Sequence, residues 1–180
     1  MIASPQAVLA FWREAGSEKW FTKDAAFDDT IRTRFLETYE AAAAKKLSGW
    51  EAAAENALAL LIVLDQFPRN MFRNDARTYA ADPFARAVAE RALARGFDQM
   101  VAPIERQFFY LPFEHSESLA DQERSCTLVA ATGDADILKW AQLHADIIRR
   151  FGRFPHRNAM LGRSTTPEEQ AFLDGGGFKG

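Results

Sequence analysis

The sequence predicts an all-α protein of antiparallel helical hairpins, and three observations lead to this fold class. Capping residues followed by proline recur, as at Ser4-Pro5 and Thr166-Pro167, and such pairs suit a helix N-terminus. Glycines such as Gly152 follow segments with helical periodicity, as is typical of helix C-termini. No segment of the sequence alternates apolar and polar residues between hairpin turns. We therefore predict seven or eight helices and no sheet.

The spacing of the apolar residues places each helix along the chain. Phe27, Ile31 and Phe35 recur every fourth residue, which is the repeat of one helix face. Residues 58–64 are apolar all round, as expected of a helix surrounded by other helices. Ser48 and Glu51 have the spacing of a capping box. With errors of a few residues at each end, these patterns predict helices at roughly 4–15, 24–45, 49–66, 83–95, 103–110, 117–131, 134–151 and 167–173.

Composition and charge exclude several classes of protein. The 180 residues are 48% hydrophobic with 15 phenylalanines, which predicts one globular domain spanning residues 1–180. A net charge of −3 gives no reason to expect a nucleic-acid partner. The longest apolar stretch is far shorter than the roughly 20 residues of a membrane span, and the N-terminus has no secretory pattern. With Cys126 as the single cysteine, we expect a cytoplasmic protein without disulfides. We find no glycine-rich phosphate loop and predict no cofactor.

Three segments combine aromatic residues and proline with a dense polar cluster. We name them the first motif (residues 64–70, LDQFPRN), the second motif (residues 110–117, YLPFEHSE) and the third motif (residues 150–158, RFGRFPHRN). The first and third share Phe-Pro followed by Arg and Asn, which indicates either stacked helical repeats or a common way of ending a helix. We expect each proline to mark a helix end, and we expect the three motifs to pack together in space.

These motifs resemble those of a mainly bacterial family, the domain of unknown function 924. The resemblance extends over nearly the whole chain and includes residues 20–21, 27–28 and 161–165. One departure is that Phe11-Trp12 is followed by Arg13-Glu14, where the family usually has another aromatic residue and a glycine. The resemblance implies an all-helical, tetratricopeptide-like fold. It implies no activity, because the family has none assigned.

The charged residues of the first and third motifs are candidates for binding a ligand. Asp65 follows the apolar run of a helix that the sequence predicts to be buried, so it needs a cationic partner such as Arg69. Alternatively, Asp65 only anchors the following loop by a salt bridge. Arginine offers a planar fork of donors that suits phosphate or carboxylate. The candidate ligand-binding residues are Asp65, Arg69, Asn70, Arg153, Arg157 and Asn158.

The histidines are candidates for proton transfer. His115 lies beside Glu114, which can favour its protonated form, and His156 lies between Arg153 and Arg157. We therefore name His115, Glu114 and His156 as candidate catalytic residues. The alternatives are that His115 is exposed beside a helix cap and that His156 belongs to a solvated basic loop. His144 lies on an apolar helix face, which favours a hydrogen-bonded core histidine.

The sequence supports two functional hypotheses and does not decide whether the protein is an enzyme. The first is a pocket for a small anionic molecule, built from the three motifs. The alternative is a helical-hairpin module that binds a protein or peptide partner in an open groove. Metal binding is not predicted, because no two histidines have helical ligand spacing. Cys126 lies within a predicted helix, which favours a packing role.

Overall fold

The computed structural model describes residues 1–178, and within this range the chain is helical with no strand. The predicted all-α class is confirmed, and α2 and α5 are short additions to the predicted helices. The tetratricopeptide-like repeat stays a prediction. No helix in residues 1–178 is long and apolar enough to cross a membrane. In chain order the α-helices are α1 (Pro5–Ala15), α2 (Ser17–Trp20), α3 (Ala25–Ala43), α4 (Ala54–Leu61), α5 (Phe67–Met71), α6 (Asp82–Ala94), α7 (Gln107–Glu114), α8 (Leu119–Ala130), α9 (Ala135–Phe151) and α10 (Pro167–Asp174).

Local capping explains where several of these helices begin and end. The Ser4 hydroxyl accepts a hydrogen bond from the Ala7 N–H at 3.2 Å at the start of α1. Thr166 and Glu169 form the reciprocal capping box predicted for α10. Gly152 ends α9 with φ of 70°, a left-handed conformation that costs glycine little. These helix ends are therefore determined by residues within one turn of them.

The segment 48–71 differs from the single helix that the sequence predicts over residues 49–66. It contains a 3-10 helix Ser48–Ala52, then α4, then a π-helical stretch Ile62–Gln66 that leads directly into α5. Pro68 cannot donate to the carbonyl of Leu64, and its ring would clash with that carbonyl in a regular α-helix. The wider π turn just before Pro68 accommodates the proline. The predicted helix stop at this proline is therefore wrong.

Two further predictions of local structure are wrong. The capping box at Ser48 and Glu51 does not form, because the Glu51 carboxylate accepts hydrogen bonds from Arg91 at 2.7 and 3.0 Å. In the second motif, α7 continues through Pro112 to Glu114. A proline one turn into a helix forfeits one backbone bond, and burial of the surrounding aromatic side chains offsets that loss.

The chain divides into two compact units, Met1–Pro112 and Phe113–Gly180, which we call the N-terminal and C-terminal units. The prediction of one domain over residues 1–180 stays a prediction. The N-terminal unit has an aromatic core in which Trp12 contacts Trp20, Phe67 and Phe108 at ring-centre distances of 5.7 to 5.9 Å. Edge-on and offset ring contacts of this kind stabilise a core beyond the area that they bury.

The C-terminal unit is built on the packing of α8 against α9. Its core contains Ile147, Ile148 and Phe154, and Phe172 and Phe178 pack against these residues from the segments that follow. Phe154 belongs to the third motif and is fully buried. The end of α9 and the third motif are therefore held in place by this core.

Candidate functional site

The first motif forms an ion network in the N-terminal unit. The Asp65 side chain is 2% exposed, and its Oδ1 lies 3.5 Å from Nη1 of Arg69. The same guanidinium donates two hydrogen bonds of 3.0 Å to Asp82. Burial disfavours the charged guanidinium, but attraction to the two carboxylates outweighs it and raises the pKa of Arg69. The predicted burial of Asp65 and its pairing with Arg69 are confirmed.

Asn70 connects α5 to α3. Its amide donates a 2.8 Å hydrogen bond to Oδ1 of Asp28, and Arg73 forms a bidentate ion pair with the same carboxylate. Asp28 and Asn70 are both buried. The polar groups of the first motif thus satisfy one another and hold helices together. A ligand-binding role for Asp65, Arg69 and Asn70 stays a prediction.

The third motif is held by Glu169, which lies in the first turn of α10. Arg153 donates to both carboxylate oxygens of Glu169 at 2.6 and 2.8 Å, and the Asn158 amide donates to Oε2 at 3.2 Å. The bonds from Arg153, together with the Thr166 N–H, lower the pKa of Glu169 from 4.5 to about 2. A ligand-binding role for Arg153 and Asn158 also stays a prediction, because here these side chains anchor the start of α10.

The second and third motifs meet inside the C-terminal unit. Glu117 accepts a 2.8 Å hydrogen bond from the Phe154 N–H and a bidentate pair of bonds from Arg163. Burial opposes ionisation, but these bonds outweigh it and lower the pKa of Glu117. The predicted contact between these two motifs is confirmed. The first motif lies in the N-terminal unit, and its meeting with the other two stays a prediction.

Glu114 and His144 form a buried carboxylate–imidazole pair, which we call the Glu114–His144 dyad. Nδ1 of His144 lies 3.1 Å from Oε1 of Glu114 and 2.8 Å from the carbonyl oxygen of Trp140. Both side chains are less than 10% exposed. Because the carbonyl oxygen of Trp140 and the carboxylate of Glu114 are acceptors, this arrangement favours the tautomer of His144 with its hydrogen on Nδ1.

Two more histidines lie close to this dyad. The ring of His115 is 6.4 Å from that of His144, and Phe154 contacts both His144 and His156 at 5.6 Å. The guanidinium of Arg157 lies over the same Phe154 ring at 4.4 Å. We call Glu114, His115, His144, His156 and Arg157 the histidine cluster. It brings together all three predicted catalytic residues and Arg157.

His144 is the member of this cluster that the sequence did not select. Its position on the apolar face of α9 correctly indicated burial, but nothing near it in the sequence indicated Glu114 as its partner. The spacing of Trp140 and His144 by one helical turn was the only local signal. Phe178, whose ring is 4.6 Å from that of His144, gave no signal at all.

An open cleft of about 440 Å³ in the N-terminal unit is a second candidate binding site. Arg13 crosses it and pairs with Glu55 at 2.8 Å and with Glu105 at 2.7 Å. Met100 and Ile104 line it with side chains that are more than half exposed. None of the residues predicted from the motifs lines this cleft. Its residues come from separate segments of the chain, so no local motif predicts it.

The arrangement of possible metal ligands and the environment of Cys126 bear on metal and thiol chemistry. No group of three or more His, Cys, Asp or Glu side chains there has an arrangement that would hold a metal ion. Burial, and to a smaller extent the charge of Glu114, raises the pKa of Cys126. A thiol with a raised pKa is a weak nucleophile at neutral pH, which agrees with a packing role.

The fold and cluster define an all-α protein with a buried carboxylate–imidazole pair, and the comparisons with known proteins give its family. The chain belongs to a family described as bacterial proteins of unknown function (DUF924), whose model matches residues 8–177. The structure is similar to that of a protein of unknown function from Agrobacterium tumefaciens, with 50% identity and a TM-score of 0.92. That likeness covers 95% of this chain and 97% of the other. No curated protein matches the chain.

Removing both carboxylate partners of Arg69 should lower the free energy of unfolding by more than the sum of the two single losses. After Asp65→Ala, Arg69 keeps Asp82, so we expect a loss of about 1–3 kcal/mol rather than the ~3–5 kcal/mol of a stranded buried charge. We expect a similar loss for Asp82→Ala. The double variant leaves Arg69 without either carboxylate, and we expect an extra coupling of about 1–3 kcal/mol. Urea unfolding measures all three.

The control for this cycle is Asp29→Ala, which removes the exposed partner of Arg32 at 3.4 Å. We expect it to change the free energy of unfolding by less than about 0.5 kcal/mol. Strict additivity of the Asp65 and Asp82 substitutions would show that Arg69 does not depend on the two carboxylates together.

The free energy of unfolding should depend on pH through the ionisation of Glu169. Its pKa is about 2 in the folded protein and about 4.5 unfolded, so its ionised form stabilises the fold above pH 4.5. That contribution is lost as the pH falls from 4.5 towards 2. The difference in urea midpoint between wild type and Glu169→Gln should therefore shrink across this range. Glu168→Gln, which removes an exposed carboxylate, should give a much flatter difference. A flat difference for Glu169→Gln would contradict the assignment.

Proposed function

We propose that the protein binds a small anionic molecule at the histidine cluster, and that the Glu114–His144 dyad exchanges a proton with this ligand. The observation that carries the proposal is the 3.1 Å contact between Oε1 of Glu114 and Nδ1 of His144. A carboxylate on one imidazole nitrogen fixes the tautomer and makes the other nitrogen a better base. Such pairs orient the imidazole in many acid–base sites.

Arginine side chains near the cluster suit an anionic ligand. Arg163 and Arg157 both lower the pKa of Glu117, so the positive charge of both guanidinium groups acts at this end of the unit. Arg157 is buried, and a buried cation interacts with a charged ligand more strongly than an exposed one. Guanidinium also matches the geometry of a carboxylate or phosphate. Protonation of His115 or His156 would add further positive charge.

In this proposal Arg153 and Glu117 position the site, and the other motif residues do not bind the ligand. Arg153 fixes the third motif through Glu169, and Glu117 fixes the backbone of Phe154. Arg69 keeps its two carboxylates in the N-terminal unit. A ligand at any of these arginines would have to displace a carboxylate that is already bound.

A thermal-shift titration with acetate and inorganic phosphate tests the proposed site. A ligand that binds only the folded state raises the melting temperature. At a ligand concentration of 100 times Kd, it adds about 2.7 kcal/mol to the free energy of unfolding. We expect at least one anion to stabilise the wild type, and His144→Gln and Arg157→Gln to abolish that stabilisation. Each variant is compared with its own ligand-free melting temperature, so a general loss of stability does not affect the result.

Lys139→Gln is the matched control, because it removes an exposed positive charge from the same helix as His144. We expect it to keep the full response to the anion. If the wild type shows no response to either anion, or if all variants respond equally, the anion site is not at the histidine cluster.

We propose a second candidate function for the cleft of the N-terminal unit: docking of a peptide that presents an apolar side chain beside a basic residue. The exposed Met100 and Ile104 supply the apolar surface. Glu55 and Glu105 bring two carboxylates against the one guanidinium of Arg13, so the cleft has a net negative charge. Charge complementarity therefore favours a basic partner.

Two short peptides that differ only in Lys or Glu next to a leucine test this second candidate. We expect the Lys peptide to bind at least several-fold more tightly by isothermal titration, and Met100→Glu to weaken its binding. Leu119→Glu, at an exposed apolar residue of α8, is the control and should have no effect. Equal affinity for the two peptides would contradict electrostatic selection in this cleft.

A further inference from the structure

The Arg13 guanidinium divides its hydrogen bonds unequally between the two carboxylates of the cleft in the N-terminal unit. Its Nε donates to Oε1 of Glu105 at 2.7 Å, and its Nη2 donates to Oε2 of Glu105 at 3.0 Å. These two parallel bonds form the fork with which arginine binds a carboxylate most strongly. Glu55 contacts Nη2 alone, which lies 3.0 Å from its Oε1 and 2.8 Å from its Oε2. Because Nη2 carries two hydrogens and one of them bonds Glu105, the two oxygens of Glu55 share the other.

The two carboxylates also differ in exposure, and this difference decides which of them a partner can reach. The Glu105 side chain is 4% exposed, whereas that of Glu55 is 50% exposed. Within residues 1–178, every hydrogen bond to either carboxylate comes from Arg13. Moving Arg13 away would leave Glu105 buried without a cation, which is strongly unfavourable. Arg13 therefore stays on Glu105 when the cleft is occupied, and Glu55 is the carboxylate that a partner contacts.

Glu55 keeps the geometry that a second guanidinium needs. A carboxylate has about four lone-pair sites, and Arg13 uses one on each oxygen. A parallel pair of sites therefore remains, and this pair matches the planar fork of an arginine. The ammonium group of lysine is a compact point charge that does not match such a pair. The charges agree, because one guanidinium and two carboxylates leave an excess negative charge that an incoming arginine neutralises.

An apolar surface lies beside this carboxylate in the same cleft. Met100 and Ile104 line it with side chains that are 67% and 52% exposed, and Ile104 directly precedes Glu105 in the chain. Sites for ligand-sized groups measure roughly 300–1,000 Å³. The cleft of about 440 Å³ is therefore large enough for an arginine and a neighbouring apolar side chain of a peptide.

We infer that the basic residue of the docked peptide is an arginine and that Glu55 selects it over lysine. This inference rests on the second candidate function, which is peptide docking in this cleft. The peptide guanidinium donates two parallel hydrogen bonds to the remaining lone pairs of Glu55. The adjacent apolar side chain packs on Met100 and Ile104. Arg13 is a positioning residue, because its shared N–H orients the Glu55 carboxylate.

The experiment titrates four peptides that differ in one residue next to a leucine into three forms of the full chain. The variable residue is arginine, lysine, symmetric dimethylarginine or glutamate. Methylation keeps the charge of arginine but blocks its bidentate hydrogen bonding, so it separates the fork from the charge. The three forms are the wild type, Glu55→Gln and the control Glu40→Gln, which removes an exposed carboxylate of α3 that does not line the cleft. Isothermal titration measures Kd, and circular dichroism confirms that each form is folded.

We expect the wild type and Glu40→Gln to bind the arginine peptide about fivefold more tightly than the lysine peptide, because a half-exposed ion pair changes affinity only several-fold. The dimethylarginine peptide should bind like the lysine peptide. Glu55→Gln should bind the arginine and lysine peptides equally, because it lacks the charged pair of acceptors.

Three other results would overturn the inference. Equal affinity of the wild type for the arginine and lysine peptides would show that the cleft does not select arginine. An arginine preference that persists in Glu55→Gln would exclude Glu55 as the selecting residue, and tight binding of dimethylarginine would exclude the fork. In each of these cases, weaker binding of the glutamate peptide would leave docking in the cleft intact. If none of the four peptides binds the wild type, this inference and the second candidate function are both wrong.

Discussion

The structure depends on one electrostatic constraint, which is that buried and half-buried carboxylates near helix ends must be neutralised. An unpaired buried carboxylate costs several kcal/mol, and arginine offsets this cost with two parallel hydrogen bonds. Both units use the same solution, and in each case the arginine comes from a different helix or loop. The pairs are Arg13 with Glu105, Arg69 with Asp82, Arg73 with Asp28, Arg153 with Glu169 and Arg163 with Glu117.

This constraint decides which polar residues remain candidates for function. An arginine in a motif suggests an anion site, but Arg69 and Arg153 already hold carboxylates of the protein itself. Glu114 differs from the other buried carboxylates, because it contacts an imidazole. A guanidinium keeps its proton at any physiological pH, whereas an imidazole releases one near neutrality. The contact of Glu114 with the imidazole of His144 is therefore chemically suited to proton transfer.

The prolines of the motifs show how packing changes a local rule. A proline inside an apparent helix normally predicts an end, yet the chain stays helical through Pro68 and Pro112. A π-helical stretch precedes the first of these prolines, and buried aromatic side chains surround the second. The burial of Phe67, Phe109 and Phe113 favours a continuous helix by more than one lost backbone bond disfavours it. The third motif behaves as expected, because Gly152 ends α9 before Pro155 is reached.

The sequence by itself determined the all-α class, most helix positions, the cap of α10 and the burial of Asp65. Each of these depends on residues within one or two helical turns, so the local pattern contains the necessary information. Only the tertiary structure decided which charges meet, as when Arg13 pairs with Glu105 across 92 residues. The same is true of the partner of His144 and of the position of Phe178. Such contacts depend on how helices pack, and the packing free energy is a sum over many side chains that no short motif contains.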